Sequence, residues 1–322
     1  MKGFWKNKRV LVTGADGFMG SHLTERLIRE GARVSIYIRG NSITGTVLYT
    51  LKNLATFEKT FTEIVTGNIA SQDAVELNRK NNAEFIFHLA ADAYVPNSFD
   101  HPREVVESNF WGTVNVLEAA RKMPKVKRII CTSSSEIYGT AQVAPIDEDH
   151  PLNPSSPYAA SKVAADRIAY SYFNTYHLPV SIIRPFNTYG PRHTYDVIPK
   201  FIKLALQGKP LTLHGNGLQT RDFTYVEDMV EAFLLMGFHP RAVGRAVNFG
   251  TGQDVTIKKT AELIKSLTGS ASPIVHIPHR TSEVHRLICG NALAKKLFGW
   301  KACFSLKEGL KANIEWAREH WL

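Results

Sequence analysis

The sequence predicts an α/β fold: a doubly wound parallel sheet with a smaller C-terminal α/β lobe. Three observations carry that reading. Apolar runs of strand length alternate with amphipathic helical stretches through the first half. The first run ends in a glycine-spaced turn that opens directly into a helical stretch. After about Pro185 the punctuation changes, and Gly, Pro and polar residues crowd together in NTYGPRH, HGNGLQT and FGTGQDVT. The expected domains are therefore 1–184 and 185–322, with some later segments returning to the first.

Taken in order, Arg9–Val12, Val34–Ile38, Phe85–Leu89, Arg128–Thr132 and Val180–Arg184 read as strands. Their near-continuous apolar character, rather than alternation, fits strands covered on both faces. Between them Ser21–Glu30, Val105–Arg121 and Val163–Phe173 carry helical spacing. Right-handed crossovers then place the strands in parallel. The basic run Lys122–Arg128 falls where a helix should end, a position favourable to cations. In the second half, Val197–Gln207 and Lys258–Leu267 read as shorter helices, and Ala246–Phe249 as a strand returning to the main sheet.

The composition limits the function classes. With 322 residues, 44% hydrophobic and 21% charged, the chain buries a full core and is not disordered. No apolar stretch reaches the length of a membrane span. MKGFWKNKR runs straight into a strand pattern without the apolar core of a signal peptide. Three cysteines without CxxC spacing fit neither a disulfide framework nor a zinc site, so no metal and a reducing, cytoplasmic setting are expected. Lys and Arg number 39 against 29 acids, a formal charge of +10. The cations are scattered and not interleaved with aromatics, which argues against nucleic acid and for solvated charge plus one anionic pocket.

Chemistry enters at Thr13-Gly14-Ala15-Asp16-Gly17-Phe18-Met19-Gly20. Glycines three apart keep the turn tight and bring backbone N–H groups and a helix N-terminus toward a pyrophosphate, the pattern of a dinucleotide-binding Rossmann sheet. At the end of the second strand, Ile38 stands where an acid would bind the ribose of NAD, and Arg39, Asn41 and Ser42 follow. An arginine and short polar side chains there suit a ribose phosphate, so NADP is the expected cofactor and NAD the alternative. Tyr158 and Lys162, four apart in SPYAASK, share one helix face. A phenol with a free pKa of about 10 needs such a cation to act as a base near neutrality. The serine-rich end of the Arg128–Thr132 strand faces the ligand side of an open sheet.

The GxxGxxG turn, His88-Leu89-Ala90-Ala91, Asn109, SSSEIYG, SPYAASK, RPFNTYGPR and RDFTYVED resemble, in this order, the extended short-chain dehydrogenase/reductases, and among them the nucleotide-sugar 4,6-dehydratases. The resemblance implies a retained NAD(P) that oxidises sugar carbon 4, loss of water across carbons 5 and 6, and hydride return to carbon 6. It implies Ser134, Tyr158 and Lys162 as a triad, with Glu136 as the acid–base residue. It also places Asn68, Ile69, Leu89, Ala90, Ala91, Asn109 and Pro185 at the cofactor. On the substrate, a UDP-, GDP- or dTDP-linked sugar, it places Ser135, Asn187, Arg221 and Arg280, the two arginines at the phosphates, with Glu283 at the nucleotide ribose. Ser135 stands where dTDP-glucose dehydratases have an Asp, an arrangement closer to GDP-mannose dehydratases. The stretch GTAQVAPIDEDHPL is similar to legionaminate-pathway dehydratases. A nucleotide-sugar 4-epimerase and a UDP-glucuronate decarboxylase are the alternatives, and a catalytically dead regulator is disfavoured by the intact triad. A homodimer is expected through the Tyr158–Tyr176 and Val105–Arg121 helices, with Ala159, Ala165, Tyr172 and Phe173 turned outward.

Overall fold

A computed structural model describes residues 1, 3–40, 49–72, 74 and 82–321. Asn41 and Ser42 lie outside the described residues. The chain begins β1 (Arg9–Thr13), α1 (Phe18–Arg29), β2 (Arg33–Ile38), β3 (Glu63–Thr66), β4 (Phe85–His88). There follow α2 (Asn97–Asp100), α3 (Pro102–Val106), a π-helical turn (Glu107–Trp111), α4 (Gly112–Arg121), β5 (Arg128–Thr132), α5 (Pro157–Tyr176) and β6 (Val180–Pro185). The second half runs β7 (Thr188–Tyr189), α6 (Val197–Leu206), β8 (Leu211–His214), β9 (Thr220–Arg221), β10 (Thr224–Tyr225), α7 (Val226–Phe238) and β11 (Ala246–Phe249). It closes with β12 (Val255–Thr256), α8 (Ile257–Thr268), β13 (Ile274–Ile277), α9 (Ala292–Phe298) and α10 (Leu306–Trp321).

The main sheet has seven strands in the order β11-β6-β5-β4-β1-β2-β3. Val10 faces Val34 on one side and Phe85 on the other, both in parallel register. The chain winds outward from β1 through β2 to β3, then returns to the other side of β1 with β4. The winding therefore reverses between β1 and β4, where ligands of such sheets bind beyond the strand ends. The doubly wound parallel sheet is the fold the apolar runs predict. β3 escaped that reading because EIVT is short and only half-buried at the sheet edge.

The chain packs as two compact units. Unit 1 comprises Met1–Ser134, Ser156–Arg184 and Val230–Val247. In it Leu11, Ile86, Ile129 and Ile182 from the sheet bury against Val116, Leu117 and Ala120 of α4. Elsewhere in the unit Trp5 packs edge-on to Phe4 and Phe85. Unit 2 comprises Ser135–Ser155, Pro185–Met229 and Asn248–Leu322. Its helices α6, α8 and α10 pack together through buried Phe201, Ile202, Ile264, Leu310 and Ile314. Short pairs β7–β10, β8–β13 and β9–β12 complete it.

Two local expectations are corrected. The helix expected over Val105–Arg121 is interrupted by the π turn, which points Asn109 inward and seats Gly112 against Ile69, where an added Cβ would come within 2.9 Å of Ile69 Cγ2. On α5, Ala159, Ala165 and Tyr172 are buried within the chain, and Phe173 is partly buried against the core. The cause for Tyr172 is its hydroxyl, which donates to Glu118 Oε1 of α4 at 2.7 Å. The apolar side chains left exposed on these helices are Val106, Trp111, Tyr170 and Tyr176. Cys131, Cys289 and Cys303 are free thiols. Among the described residues no helix is long and apolar enough to cross a membrane.

Candidate active site

The turn after β1 is built by sterics. Gly14 has φ +69°, and an added Cβ would lie 2.7 Å from Ala90 N, in the loop after β4. Gly20, in the first turn of α1, packs directly on the Gly14 carbonyl. Gly17 is the N-cap and has no side chain to occupy the helix end. The first-turn backbone of Phe18, Met19 and Gly20 thus presents the positive end of α1, a cradle that fits a pyrophosphate. Asp16 does not extend into it. Its carboxylate accepts Lys52 N–H, Asn53 N–H and Leu54 N–H at 2.7, 2.8 and 3.0 Å and fastens the 52–54 loop to the turn.

Of the remaining expected cofactor residues, Arg39, Asn68, Ile69, Leu89, Ala90, Ala91 and Asn109 belong to unit 1. Ile38 is buried and Arg39 exposed at the end of β2. Asn68 is exposed after β3 and its Oδ1 accepts Ala70 N–H at 3.1 Å. Ile69 is buried, its carbonyl accepting from Asn115 Nδ2 at 2.9 Å. Leu89, Ala90 and Ala91 are half-buried after β4. Asn109 is fully engaged inside the protein: Nδ2 donates to Asp92 O and Ser161 Oγ, and Oδ1 accepts Asp92 N–H. Its side chain ties the loop after β4 to α5. Pro185, the last residue of β6, is buried in unit 2.

α5 starts one residue ahead of the tyrosine. Ser156 Oγ accepts Ala159 N–H at 3.1 Å, and Pro157 occupies the first turn. Tyr158 and Lys162 follow one turn apart, both buried. Lys162 Nζ donates to the Thr132 carbonyl at 2.6 Å, at the end of β5 and two residues before Ser134. Burial lowers the Lys162 pKa to about 8, with Cys131 and Asp166 opposing the fall. One turn on, Asp166 accepts from Arg184 Nε at 2.8 Å and Nη2 at 3.1 Å. Sequence reading missed Asp166, and it named His88 only within the His88-Leu89-Ala90-Ala91 motif without giving it a role. Only their helical or strand position marks them, and that position reads as ordinary packing.

Unit 2 holds the acid–base candidate. Glu136 sits in a short 3-10 turn (Ser135–Tyr138) with buried Ser135 before it. Burial pushes its carboxyl upward, Arg221 and Arg280 pull it back, and Asp196 and Glu283 push it up further. Arg221 Nη1 donates to Val284 O and Thr220 O at 2.7 and 2.9 Å, and Nη2 pairs with Glu283 at 3.2 Å. Glu283, expected at a ribose, thus holds an arginine. Arg280 is half-buried; burial, and then the Arg280 charge, lowers the pKa of Lys200 on α6, a cation whose amphipathic setting gave no sequence signal. Asn187 Oδ1 is buried with no partner, an acceptor suited to a ligand donor. Among the described residues no cluster of acids, histidines and cysteines could hold a metal.

Comparison with known proteins agrees with this arrangement. Residues 11–313 match the family described as GDP-mannose 4,6 dehydratase. A UDP-glucose 4-epimerase of Mycolicibacterium smegmatis is 35% identical over 315 residues, covering 96% of this chain and 98% of the relative. UDP-glucuronic acid decarboxylase 1 of Danio rerio is 34% identical, covering 96% and 72%. The crystal structure of DesIV, a dTDP-glucose 4,6-dehydratase of Streptomyces venezuelae with NAD bound, superposes with TM-score 0.88 at 29% identity, covering 97% of each chain. A tight glycine turn opening a helix at the switch point, a Tyr–Lys pair on α5 and a match along almost the whole length converge: the chain belongs to the GDP-mannose 4,6-dehydratase family of extended short-chain dehydrogenase/reductases, enzymes that transform nucleotide sugars with NAD(P).

Proposed function

We propose that this enzyme is a nucleotide-sugar 4,6-dehydratase. Glu136 carries the reading, a partly buried carboxylate with raised proton affinity two residues beyond Ser134. The nicotinamide, when bound, supplies a hydride acceptor that later returns the hydride. Tyr158, one helical turn from the Lys162 cation, takes the proton of the carbon-4 hydroxyl as hydride leaves carbon 4, and Ser134 hydrogen-bonds that hydroxyl. The new ketone acidifies the proton on carbon 5. Glu136 removes it and gives it to the departing carbon-6 hydroxyl, since Ser135 has no carboxyl to do so. Arg221 and Arg280 receive the diphosphate, with Asn187 accepting from the sugar nucleotide. Ile38 and Arg39 support NADP over NAD. Exposed apolar side chains on α3, the π turn and α5 support a homodimer.

The test is incubation of the pure protein with UDP-, GDP- and dTDP-sugars while product masses are followed. Loss of one water supports the dehydratase. The absence of an acid at Ser135 favours a second reading, carbon-4 oxidation of a nucleotide-linked uronic acid followed by loss of carbon dioxide, which needs no acid for a leaving hydroxyl. That mass loss would replace the first reading, and an unchanged mass with inverted carbon 4 would make the enzyme an epimerase.

A further inference from the structure

Unit 1 contains a run of buried hydrogen bonds from the end of β1 to α5, and its direction can be read donor by donor. Ser161 Oγ donates to the Tyr158 carbonyl at 2.7 Å, so it accepts from Asn109 Nδ2 at 2.9 Å. Thr113 Oγ1 donates to the Asn109 carbonyl at 2.7 Å, which leaves it to accept from His88 Nε2 at 3.1 Å. The imidazole proton therefore sits on Nε2, and Nδ1 is the acceptor. Thr13 Oγ1 donates to that Nδ1 at 2.8 Å and accepts Ala90 N–H at 3.2 Å. Ala90 is the residue against which Gly14 packs. Thr13, His88, Thr113, Asn109 and Ser161 are all buried.

Each hydrogen on this path has one acceptor, so reversing any link strands a buried donor. Burial and the nearby Lys162 charge push the His88 pKa down to about 3, consistent with the single ring proton the path requires. The π turn belongs to the same device, because it turns Asn109 inward between its two partners.

We propose that His88 is a positioning residue that couples the cofactor-binding turn to the catalytic tyrosine, its neutral ring fixing the Gly14–Ala90 contact at one end and the α5 backbone at Tyr158 at the other. This rests on Tyr158 being the proton acceptor of the reaction proposed above. The coupling does no proton transfer; it sets the distance and angle between the turn and the first residues of α5.

The test uses Thr113, which touches neither Gly14 nor Tyr158 in this path. Thr113→Val removes the hydroxyl with little change of volume, and Thr113→Ser keeps it. Thr113→Val should lower the single-turnover rate of nicotinamide reduction by a nucleotide sugar about tenfold with KM for the sugar unchanged. It should also weaken NADPH binding about threefold, by fluorescence titration, and Thr113→Ser should restore both. Combining Thr113→Val with Thr13→Val should cost no more than the worse single change, because either one breaks the same path. Serine failing like valine, or losses that multiply, would overturn the proposal. Should Thr113→Val not fold, Thr13→Ser against Thr13→Val supplies the same comparison. If no nucleotide sugar reduces the nicotinamide, the dehydratase reading fails, and the binding titration alone decides the coupling: unaltered affinity in Thr113→Val overturns it.

Discussion

At the scale of single residues, environment decides which groups do chemistry. Glu136 and Asp166 are both carboxylates beside arginines, yet burial raises one and a two-pronged arginine lowers the other. Glu136→Gln should fold, bind cofactor and still oxidise carbon 4, while water loss falls about a hundredfold or more. Accumulation of reduced nicotinamide without dehydrated product, followed by absorbance and mass, checks it; dehydration at the wild-type rate would refute the assignment. The pH profile follows from two signs. Glu136 must be deprotonated, so activity rises through a limb above the usual carboxylate value of 4.5. Lys162 must be charged, so activity falls as pH passes about 8. A single-turnover profile lacking the alkaline limb would show that Lys162 does not tune Tyr158. For the cofactor, Arg39→Ala should weaken NADP binding by about 1–3 kcal/mol and leave NAD nearly unchanged. Equal wild-type affinity for the two would contradict the preference.

At the scale of elements, α5 shows how a helix delivers a catalytic pair. Ser156 and Pro157 set its start, so Tyr158 and Lys162 fall on one face within its first two turns. Asp166 then clamps it to Arg184 of β6, both side chains nearly inaccessible. Asp166 also accepts from Arg167. Asp166→Ala would leave Arg184 buried without its carboxylate, costing about 3–5 kcal/mol. The linkage has a definite sign: the folded pKa of Asp166 lies below 3.8, so the pair's stability is present above that value and lost as pH falls through the lower folded value. Urea denaturation between pH 2 and 7 should show a weaker acid dependence in the variant than in the wild type. Identical slopes would mean that the pair does not set the acid limb.

At the scale of the whole molecule, the surface of unit 1 bears on assembly. Trp111 is 51% exposed, Tyr176 45%, Tyr170 39% and Val106 38%, while Val105, Gly112, Ala169 and Tyr172 on the same stretches are buried. Isolated exposed apolar residues are ordinary, but four on α3, the π turn and α5, the stretches expected to meet a second copy, are more than packing within the chain requires. A twofold contact through these helices predicts a dimer mass in light scattering at micromolar concentration, and Trp111→Glu with Tyr170→Glu should give a monomer. A monomeric wild type would remove the dimer. Arg121, stacked 3.9 Å over the Tyr176 ring, covers one face of that aromatic within the chain.

The sequence by itself determined the parallel sheet, because strands covered on both faces must be apolar along their length, and it located the turn, since only glycine tolerates the approach at Gly14 and Gly20. It also placed Tyr158 and Lys162 one helical turn apart, because that relation is local. Tertiary structure alone decided what depends on residues distant in sequence. Asp16 and Asn109 have the chemistry of ligand contacts, but partners 36 and 17 residues away within the chain engage their side chains. Tyr172 turns inward because Glu118 of another helix accepts its hydroxyl. The tautomer of His88 follows from hydroxyls 75 residues before it and 25 after it. Periodicity reports which face of an element is buried; it carries no information on which buried polar group meets which, and in a low-dielectric interior those pairings set charge, tautomer and position.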